Sequence, residues 1–356
     1  MRKNDATSKQ IEIPYLLKIG CGKIEKVGKY LFDKDMTQIA LFMGDGIEDV
    51  LGPTLRLSLS SWGINIAYEQ VVTDVDITAI TNTAFFLPPC TAIVGVGGGK
   101  ALDFAKYAAH LLKTPFISIP TAMSNDGFGS PTASLSVLGK KKSVKSGIPF
   151  GIVIDLSVVK SSPDIFFYAG IGDMLSKITA IQDWQVARDK GLARFVDLSA
   201  VLAYNSLDIL FLKHTFDIYS ESFQRSLASS LTMSGIAMEI AGSSRPASGS
   251  EHLISHALDA ICKKPQMHGI QVGVATYLCA LLQDNMQADG IRVVLQETGF
   301  LAHVQKNPLD YSEFVEALKL APNIKSNYYT VLSEESSFDR AVDLLQTNDC
   351  LRTLVK

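Results

Sequence analysis

A glycine-rich segment, 94-VGVGGGKALDFAKYAA-109, joins an apolar run to a helical one. Consecutive glycines let backbone N–H groups approach phosphate oxygens closely, and a helix that begins beside them adds the partial positive charge of its N-terminus. The segment is not a Walker loop because Ala101 follows Lys100, and it departs from G-x-G-x-x-G because Lys100 takes the place of the last glycine. It predicts a pyrophosphate-binding turn between a strand and a helix; an ordinary tight turn is the alternative.

Short apolar runs rich in Ile and Val recur through the first half of the chain, with helical stretches such as 102–112 between several of them. The runs occupy 39–46, 64–70, 91–99, 116–120 and 151–156. This alternation predicts a Rossmann-like α/β domain with a mostly parallel sheet. Segments 133–139 and 143–151 are predicted to form a hairpin connected by the lysines 140–142.

The texture changes after Asp164, where Ala, Leu, Gln, Lys and Ser recur at helical spacing and runs rich in β-branched residues become few. A chain of 356 residues exceeds the size at which a single core usually stops growing, so two domains are expected. We predict a nucleotide-binding α/β domain over 1–162 and an all-helical domain over 163–356 that binds metal and substrate.

Composition argues against several classes of protein. The net charge is −3 with no long basic block, which gives no electrostatic case for nucleic-acid binding. No run of 18 apolar residues predicts membrane insertion, and the opening MRKNDATSKQ lacks the apolar core of a signal peptide. The five cysteines form no CxxC pair, as expected of reduced thiols in a cytoplasmic protein.

Three of the six histidines, His252, His256 and His268, fall within one short window. His252 and His256 are four residues apart and share one face of a helix. Neutral imidazoles suit Zn²⁺, Ni²⁺ or Fe²⁺, but Leu253 stands where HExxH carries its glutamate. The best candidate for a carboxylate ligand is therefore Asp173, in 170-GIGD-173 at the predicted start of a helix. For His110, His214 and His303 we expect ordinary core or surface positions.

A second loop, 120-PTAMSNDGFGSPTASL-135, follows another predicted parallel strand. It brings the hydroxyls of Thr121, Ser124 and Ser130 and the carboxylate of Asp126 to the carboxyl end of the sheet, where α/β proteins bind ligands. A loop of this composition could also be an ordinary turn.

Five segments in this order resemble the glycerol-1-phosphate dehydrogenase family, within the iron-containing alcohol dehydrogenase and dehydroquinate synthase-like superfamily. They are GVGGGKALDFAKYAA, SIPTAMSNDGFGSPTASL, AGIGDMLSKITAIQDW, RPASGSEHLISHALD and MHGIQVGVAT. The resemblance implies the dehydroquinate synthase-like fold. It also implies that Asp173, His252 and His268 hold the metal and that His256 contacts the substrate.

The same resemblance implies contacts to a nicotinamide cofactor. The implied cofactor residues are Gly97, Gly98, Gly99, Asp103, Thr121, Ser124 and Ser130. Asp126 is implied to contact the substrate, and Asn125 departs from the histidine that archaeal members often carry. Independently of the resemblance, Glu69 at the predicted end of a strand could accept hydrogen bonds from an adenosine ribose, which would favour NAD over NADP.

The resemblance implies an oxidoreductase that moves a hydride between NAD or NADP and dihydroxyacetone phosphate or sn-glycerol 1-phosphate. It implies one divalent metal, with zinc expected first and nickel or iron open. We also expect a homo-oligomer. The alternatives are a glycerol dehydrogenase acting on unphosphorylated glycerol and a metal-binding homologue without catalysis. A cationic pocket for the phosphate would distinguish a glycerol-1-phosphate dehydrogenase from a glycerol dehydrogenase. Lys177 and Arg245 are the candidates for this pocket.

Overall fold

A six-stranded parallel sheet forms the first half of the protein in the computed structural model, which describes residues 11–211 and 216–356. The strands, in chain order and including a separate hairpin, are β1 (Leu16–Gly20), β2 (Gln38–Gly44), β3 (Asn65–Val72), β4 (Ala92–Gly97), β5 (Phe116–Pro120), β6 (Thr132–Val137), β7 (Lys140–Lys145) and β8 (Gly151–Asp155). The sheet order is β1-β8-β5-β4-β2-β3. The predicted parallel α/β architecture is confirmed.

Helices cover both faces of this sheet. They are α1 (Val27–Phe32), α2 (Ile47–Ser61), α3 (Ile77–Phe86), α4 (Gly99–Leu112) and α5 (Leu156–Lys160). Alternate residues of a strand point to opposite faces, so Leu41 packs in the cluster of Leu55 on one side and Phe42 in the cluster of Phe104 on the other. Burial on both faces explains why the strand sequences are continuous apolar runs.

The strand order reverses between β2 and β4. The chain leaves β2 for β3 in one direction and then returns to place β4 on the other side of β2. The loops after these two strands therefore diverge and leave a crevice at the carboxyl edge of the sheet. In open α/β sheets this is the place where ligands bind.

The second half is helical in the residues that the structure describes, apart from a single β-bridge between Leu309 and Val355. Its helices are α6 (Asp164–Asp189), α7 (Asp197–Phe211), α8 (Glu221–Ala241), α9 (Ser250–Ile261), α10 (His268–Leu282), α11 (Ala288–Glu297), α12 (Phe300–Lys306), α13 (Tyr311–Leu320), α14 (Ser337–Thr347) and α15 (Leu351–Leu354). The predicted combination of α/β and helical halves is confirmed, while the division at 162/163 stays a prediction.

Two details of the predicted strands are wrong. The hairpin turns at Leu138 and Gly139, both with positive φ, so the three lysines belong to β7 and do not connect the strands. The edge strand β1 was not predicted, because it is short and only two of its five residues are fully buried. Within the described ranges, no helix is long and apolar enough to cross a membrane.

Candidate metal and cofactor site

Three helices bring Asp173, His252 and His268 together. One potential ligand atom from each lies within 4.8 Å of the others. Asp173 is in the third turn of α6, so the prediction that its GIGD segment starts a helix is wrong. His252 lies in the first turn of α9, and His268 is the first residue of α10.

Glycines allow α6 and α10 to come close enough for these ligands to meet. A Cβ placed on Gly172 would lie 2.1 Å from the carbonyl oxygen of Gly269, and one on Gly269 would lie 2.0 Å from that of Ala169. The two helix backbones are therefore in direct contact beside Asp173 and His268. Any side chain at either glycine would separate the helices.

Hydrogen bonds orient both imidazoles. His252 Nδ1 lies 2.9 Å from the carboxylate of Glu251, which can only accept, so Nδ1 carries the proton. Ser255 Oγ donates to Gln271 Oε1 and lies 2.9 Å from His268 Nδ1, which must then donate to it. In the neutral form of each ring, Nε2 then carries the lone pair, and a partner at Nδ1 is the usual arrangement for metal-binding histidines.

The pKa values of Asp173 and His268 suit a cation, whereas that of His252 favours a proton that a bound cation would displace. Burial, followed by the nearby charge of His252, lowers the pKa of His268 to about 3, so this imidazole is neutral. Burial raises the pKa of Asp173, but Lys177 and the two imidazoles outweigh burial and hold it well below its usual range. Burial lowers the pKa of His252, whereas its bonds to Asp173 and Glu251 raise it above the ordinary value. One carboxylate and two oriented imidazoles are a donor set that fits a divalent zinc-like ion.

His256 lies one helical turn after His252 and also approaches His268, with ring centroids 5.7 Å apart. Asp259 could complete a second cluster with these two residues. However, Asp259 forms an ion pair with Lys141 at 3.2 Å. Burial and the charges of the other two histidines lower the pKa of His256 well below its usual value. His256 is therefore a neutral imidazole at the edge of the first cluster.

Asp126 begins a 3-10 turn over Asp126–Gly129 and joins the loop to the cluster. Its backbone N–H donates to Asp173 Oδ2 at 3.1 Å. Its own Oδ2 accepts from Ser234 Oγ at 2.7 Å and pairs with Lys177 Nζ at 3.0 Å. Lys177 is fully buried between Asp126 and Asp173, so its ammonium links these two carboxylates.

A cleft of about 660 Å³ lies at the switch point of the sheet. Gly44 and Asp45 after β2 and Gly98 and Gly99 after β4 line it. Thr121 and Ser124 line it from the loop after β5, and Ser161, Ser162 and Phe166 line it from the end of α5 and the start of α6. Ser124 belongs to the same loop as Asp126, whose backbone N–H binds Asp173, so this loop connects the lining of the cleft to the Asp–His–His cluster.

The glycine loop has the geometry predicted for a close backbone approach. Gly97 has a φ of +140°, and a Cβ there would meet Gly44 N and Ala101 Cβ at 3.2 Å. A Cβ on Gly98 or Gly99 would meet no protein atom within 4 Å, so space for a ligand lies over both. The N-terminus of α4 faces this space, as anion binding requires.

Four predicted cofactor residues do not line the cleft: Gly97, which packs against Gly44 and Ala101, and Asp103, Ser130 and Glu69. Asp103 lies 3.6 Å from Lys106, which binds the carbonyl of Gly127, so this pair supports the turn that carries Asp126. Ser130 is buried against the carbonyls of Gly127 and Thr132. Glu69 lies within β3, before its end at Val72, and pairs with Arg56. The expectation that Glu69 ends its strand and binds a ribose is not supported.

The remaining predicted residues have ordinary surroundings. His110 is exposed beside Tyr107, and His303 packs on Tyr168. His214 lies outside the described residues. Sequence reasoning missed Glu251 and Ser255, which orient the two imidazoles. The Glu251–His252 dipeptide was a usable signal for the first, because a carboxylate is a common partner of metal-bound histidine.

Comparisons with known proteins agree with this fold. Residues 18–163 match the family model "Iron-containing alcohol dehydrogenase". The crystal structure of glycerol dehydrogenase from Schizosaccharomyces pombe superposes with a TM-score of 0.74, covering 97% of this chain and 91% of that one at 20% identity. At this identity the likeness shows the fold alone. The matched segment and the fold both agree with the iron-containing alcohol dehydrogenase class.

Curated relatives narrow the class. The chain is 39% identical to glycerol-1-phosphate dehydrogenase [NAD(P)+] of Thermococcus sibiricus over 70% of this chain and 72% of the relative. It is 34% identical to the enzyme of the same name from Methanosarcina acetivorans over 92% and 93% of the two chains. The chain belongs to the glycerol-1-phosphate dehydrogenase family, which confirms the predicted resemblance.

Proposed function

We propose that this protein reduces dihydroxyacetone phosphate to sn-glycerol 1-phosphate, and catalyses the reverse reaction, with NADH or NADPH. The observation that carries the proposal is the Asp173, His252 and His268 cluster, with both imidazoles hydrogen-bonded at Nδ1, next to the loop that also lines the glycine-rich cleft. The names of the curated relatives supply the substrate.

Asp173, His252 and His268 would hold the metal, and Gly98, Gly99, Thr121 and Ser124 would hold the dinucleotide. A divalent ion in such a site supplies Lewis-acid polarisation of a carbonyl oxygen, and the nicotinamide supplies the hydride. We propose zinc as the resident ion, since two imidazoles and one carboxylate form a common catalytic zinc set.

The chain's own residues would bind the substrate and move the proton. Asp126 Oδ1 accepts no hydrogen bond from the described residues and would orient a substrate hydroxyl, while Oδ2 stays fixed by Ser234 and Lys177. An imidazole nitrogen of His256 would pass the proton to and from the substrate oxygen, which its neutral state permits. The helical side of the cleft, at Ser161, Ser162 and Phe166, would exclude bulk water.

We further propose that the enzyme works in the cytoplasm as a homo-oligomer. The cysteines are compatible with a reducing compartment, because none of the five is in a disulfide. Sedimentation of the purified protein tests the assembly, and a monomer at all concentrations would refute it.

A substrate panel tests the function. Metal-loaded enzyme is assayed for NADH and NADPH oxidation with dihydroxyacetone phosphate and with dihydroxyacetone. We expect kcat/KM for the phosphorylated ketone to exceed that for the free ketone by at least about tenfold, the minimum expected from one charged contact. Equal or better activity with dihydroxyacetone would instead identify a glycerol dehydrogenase. No oxidation with either ketone would favour the non-catalytic alternative.

A further inference from the structure

Two cations near α9, Arg245 and Lys325, form no direct ion pair with a carboxylate in the described part of the chain. Arg245, only 6% exposed, makes one side-chain hydrogen bond, from Nη1 to the carbonyl of Tyr329 at 2.7 Å. Lys325 is half-buried and makes no hydrogen bond or ion pair with the described residues. Buried positive charge is unfavourable unless an anion compensates it.

Both cations contact the same aromatic ring. The guanidinium carbon of Arg245 lies 3.7 Å from the ring centroid of Tyr328, and Nζ of Lys325 lies 4.7 Å from the same centroid. Tyr328 itself is fixed, because its hydroxyl donates to the carbonyl of Ser248 just before α9. Nε and Nη2 of Arg245 take no protein acceptor among the described residues, so donors remain for a ligand.

This pair of cations lies close to α9. Lys325 follows the 3-10 turn Ala321–Asn323, which packs against α9. Burial lowers the pKa of Lys325, whereas the carboxylate of Glu251 raises it, so the ammonium lies within electrostatic reach of the metal cluster. Its charge also contributes to the lowered pKa of His256.

Lys177 cannot supply the same contact. Its ammonium lies 3.0 Å from Asp126 and 3.3 Å from Asp173 and also donates to the carbonyl of Asp173. Two carboxylates already neutralise its charge. Lys325, from a loop without a recognised motif, therefore replaces Lys177 as the lysine candidate for phosphate recognition.

We propose that Lys325 and Arg245 form an anion subsite that binds the phosphate monoester of the substrate and selects it over an unphosphorylated polyol. The inference rests on the proposed function, because it assigns the phosphate of that substrate. The planar guanidinium offers paired donors that match phosphate oxygens, and the ammonium adds a second positive charge beside the same ring.

The test compares Lys325→Met with Lys325→Arg in metal-loaded enzyme. Lys306→Met is the matched control, since Lys306 is exposed at the end of α12 and its loss changes the net charge equally. For Lys325→Met, we expect kcat/KM for dihydroxyacetone phosphate to fall about 10- to 100-fold and that for dihydroxyacetone to stay within about twofold. Lys325→Arg should restore most of the loss. Calorimetry with inorganic phosphate should show binding to wild type and to Lys306→Met that Lys325→Met has lost.

The outcomes separate the subsite from the function. If wild type prefers the phosphorylated ketone and Lys325→Met keeps both that preference and phosphate binding, the subsite is refuted while the proposed function stands. If wild type shows no preference for the phosphorylated ketone, the proposed function fails and the subsite fails with it. An equal loss in Lys306→Met would reduce the effect to net charge and would also refute the subsite.

Discussion

The contact between α6 and α10 predicts that a single methyl group can weaken metal binding without touching a ligand. In Gly172→Ala the new Cβ would lie 2.1 Å from the carbonyl oxygen of Gly269 and 3.0 Å from Gly273 Cα. Ordinary contacts of a Cβ begin near 3.4 Å, so the helices must separate by roughly 1 Å. Asp173 is the next residue on one helix and His268 precedes Gly269 on the other, so the two ligands move apart.

We expect two effects of different size. Overpacking lowers the free energy of unfolding by about 1–3 kcal/mol. The widened ligand set should lower metal affinity by about 10- to 100-fold, as loss of a well-placed supporting contact does in metal sites. The affinity is measured by competition with a chromophoric chelator, and the stability by denaturant unfolding of the metal-free protein.

Gly28→Ala provides the matched control. Its Cβ would lie 2.0 Å from the carbonyl oxygen of Ser58, which is an equal overlap between α1 and α2 in the other half of the protein. It should lose similar stability and keep wild-type metal affinity. If a folded Gly172→Ala protein bound metal as tightly as wild type, the argument that helix contact sets the ligand spacing would be wrong.

Three further predictions follow from individual contacts. Glu251→Gln removes the charge that holds His252 Nδ1–H and should lower metal affinity about 10- to 100-fold in a chelator competition; unchanged affinity would contradict the orienting role. Gly98→Val should leave the fold and the metal content intact, because a Cβ at this position meets no protein atom within 4 Å. The side chain should block the approach of the phosphates and raise the Kd for NADH at least about tenfold. An unchanged Kd would mean that the loop is an ordinary turn. Burial and Glu251 raise the pKa of Asp183 from 3.8 to about 6, so the folded state binds its proton more tightly than the unfolded state. The stabilisation is present at low pH and is lost as the pH rises through 6. Relative to Asp183→Asn, the free energy of unfolding of wild type should fall by on the order of 3 kcal/mol between pH 4 and 7, measured by denaturant unfolding. Parallel plots of unfolding free energy against pH for the two proteins would refute this.

Patterns along the chain predicted the features that local physics determines. Strands buried on both faces must be apolar throughout, so β4 and β5 were visible as runs. A turn that needs glycine conformations was visible at Gly97–Gly99. The three histidines are close together in the sequence, so they were also predicted to belong to one site.

Features that depend on tertiary contacts were not predictable. Nothing local showed that Leu138 and Gly139 form the hairpin turn, because three successive lysines resemble a loop more than a strand. The residues next to Lys177 in the sequence do not show whether it binds a phosphate or two carboxylates. Its role becomes clear only from the fold, which brings Asp126 to its ammonium. Lys325 lies 69 residues beyond His256 in a segment without regular structure, so its proximity to α9 appears only in the fold.

The central claim is that the two histidines on α9, four residues apart, have different roles: His252 binds metal and His256 contacts the substrate. Metal content and kcat measured on His252→Ala and His256→Ala test it directly. We predict that His252→Ala loses both metal and activity, whereas His256→Ala keeps about one ion per chain and loses about 10²- to 10⁴-fold in kcat. An empty metal site in His256→Ala, or a full one in His252→Ala, would contradict the account.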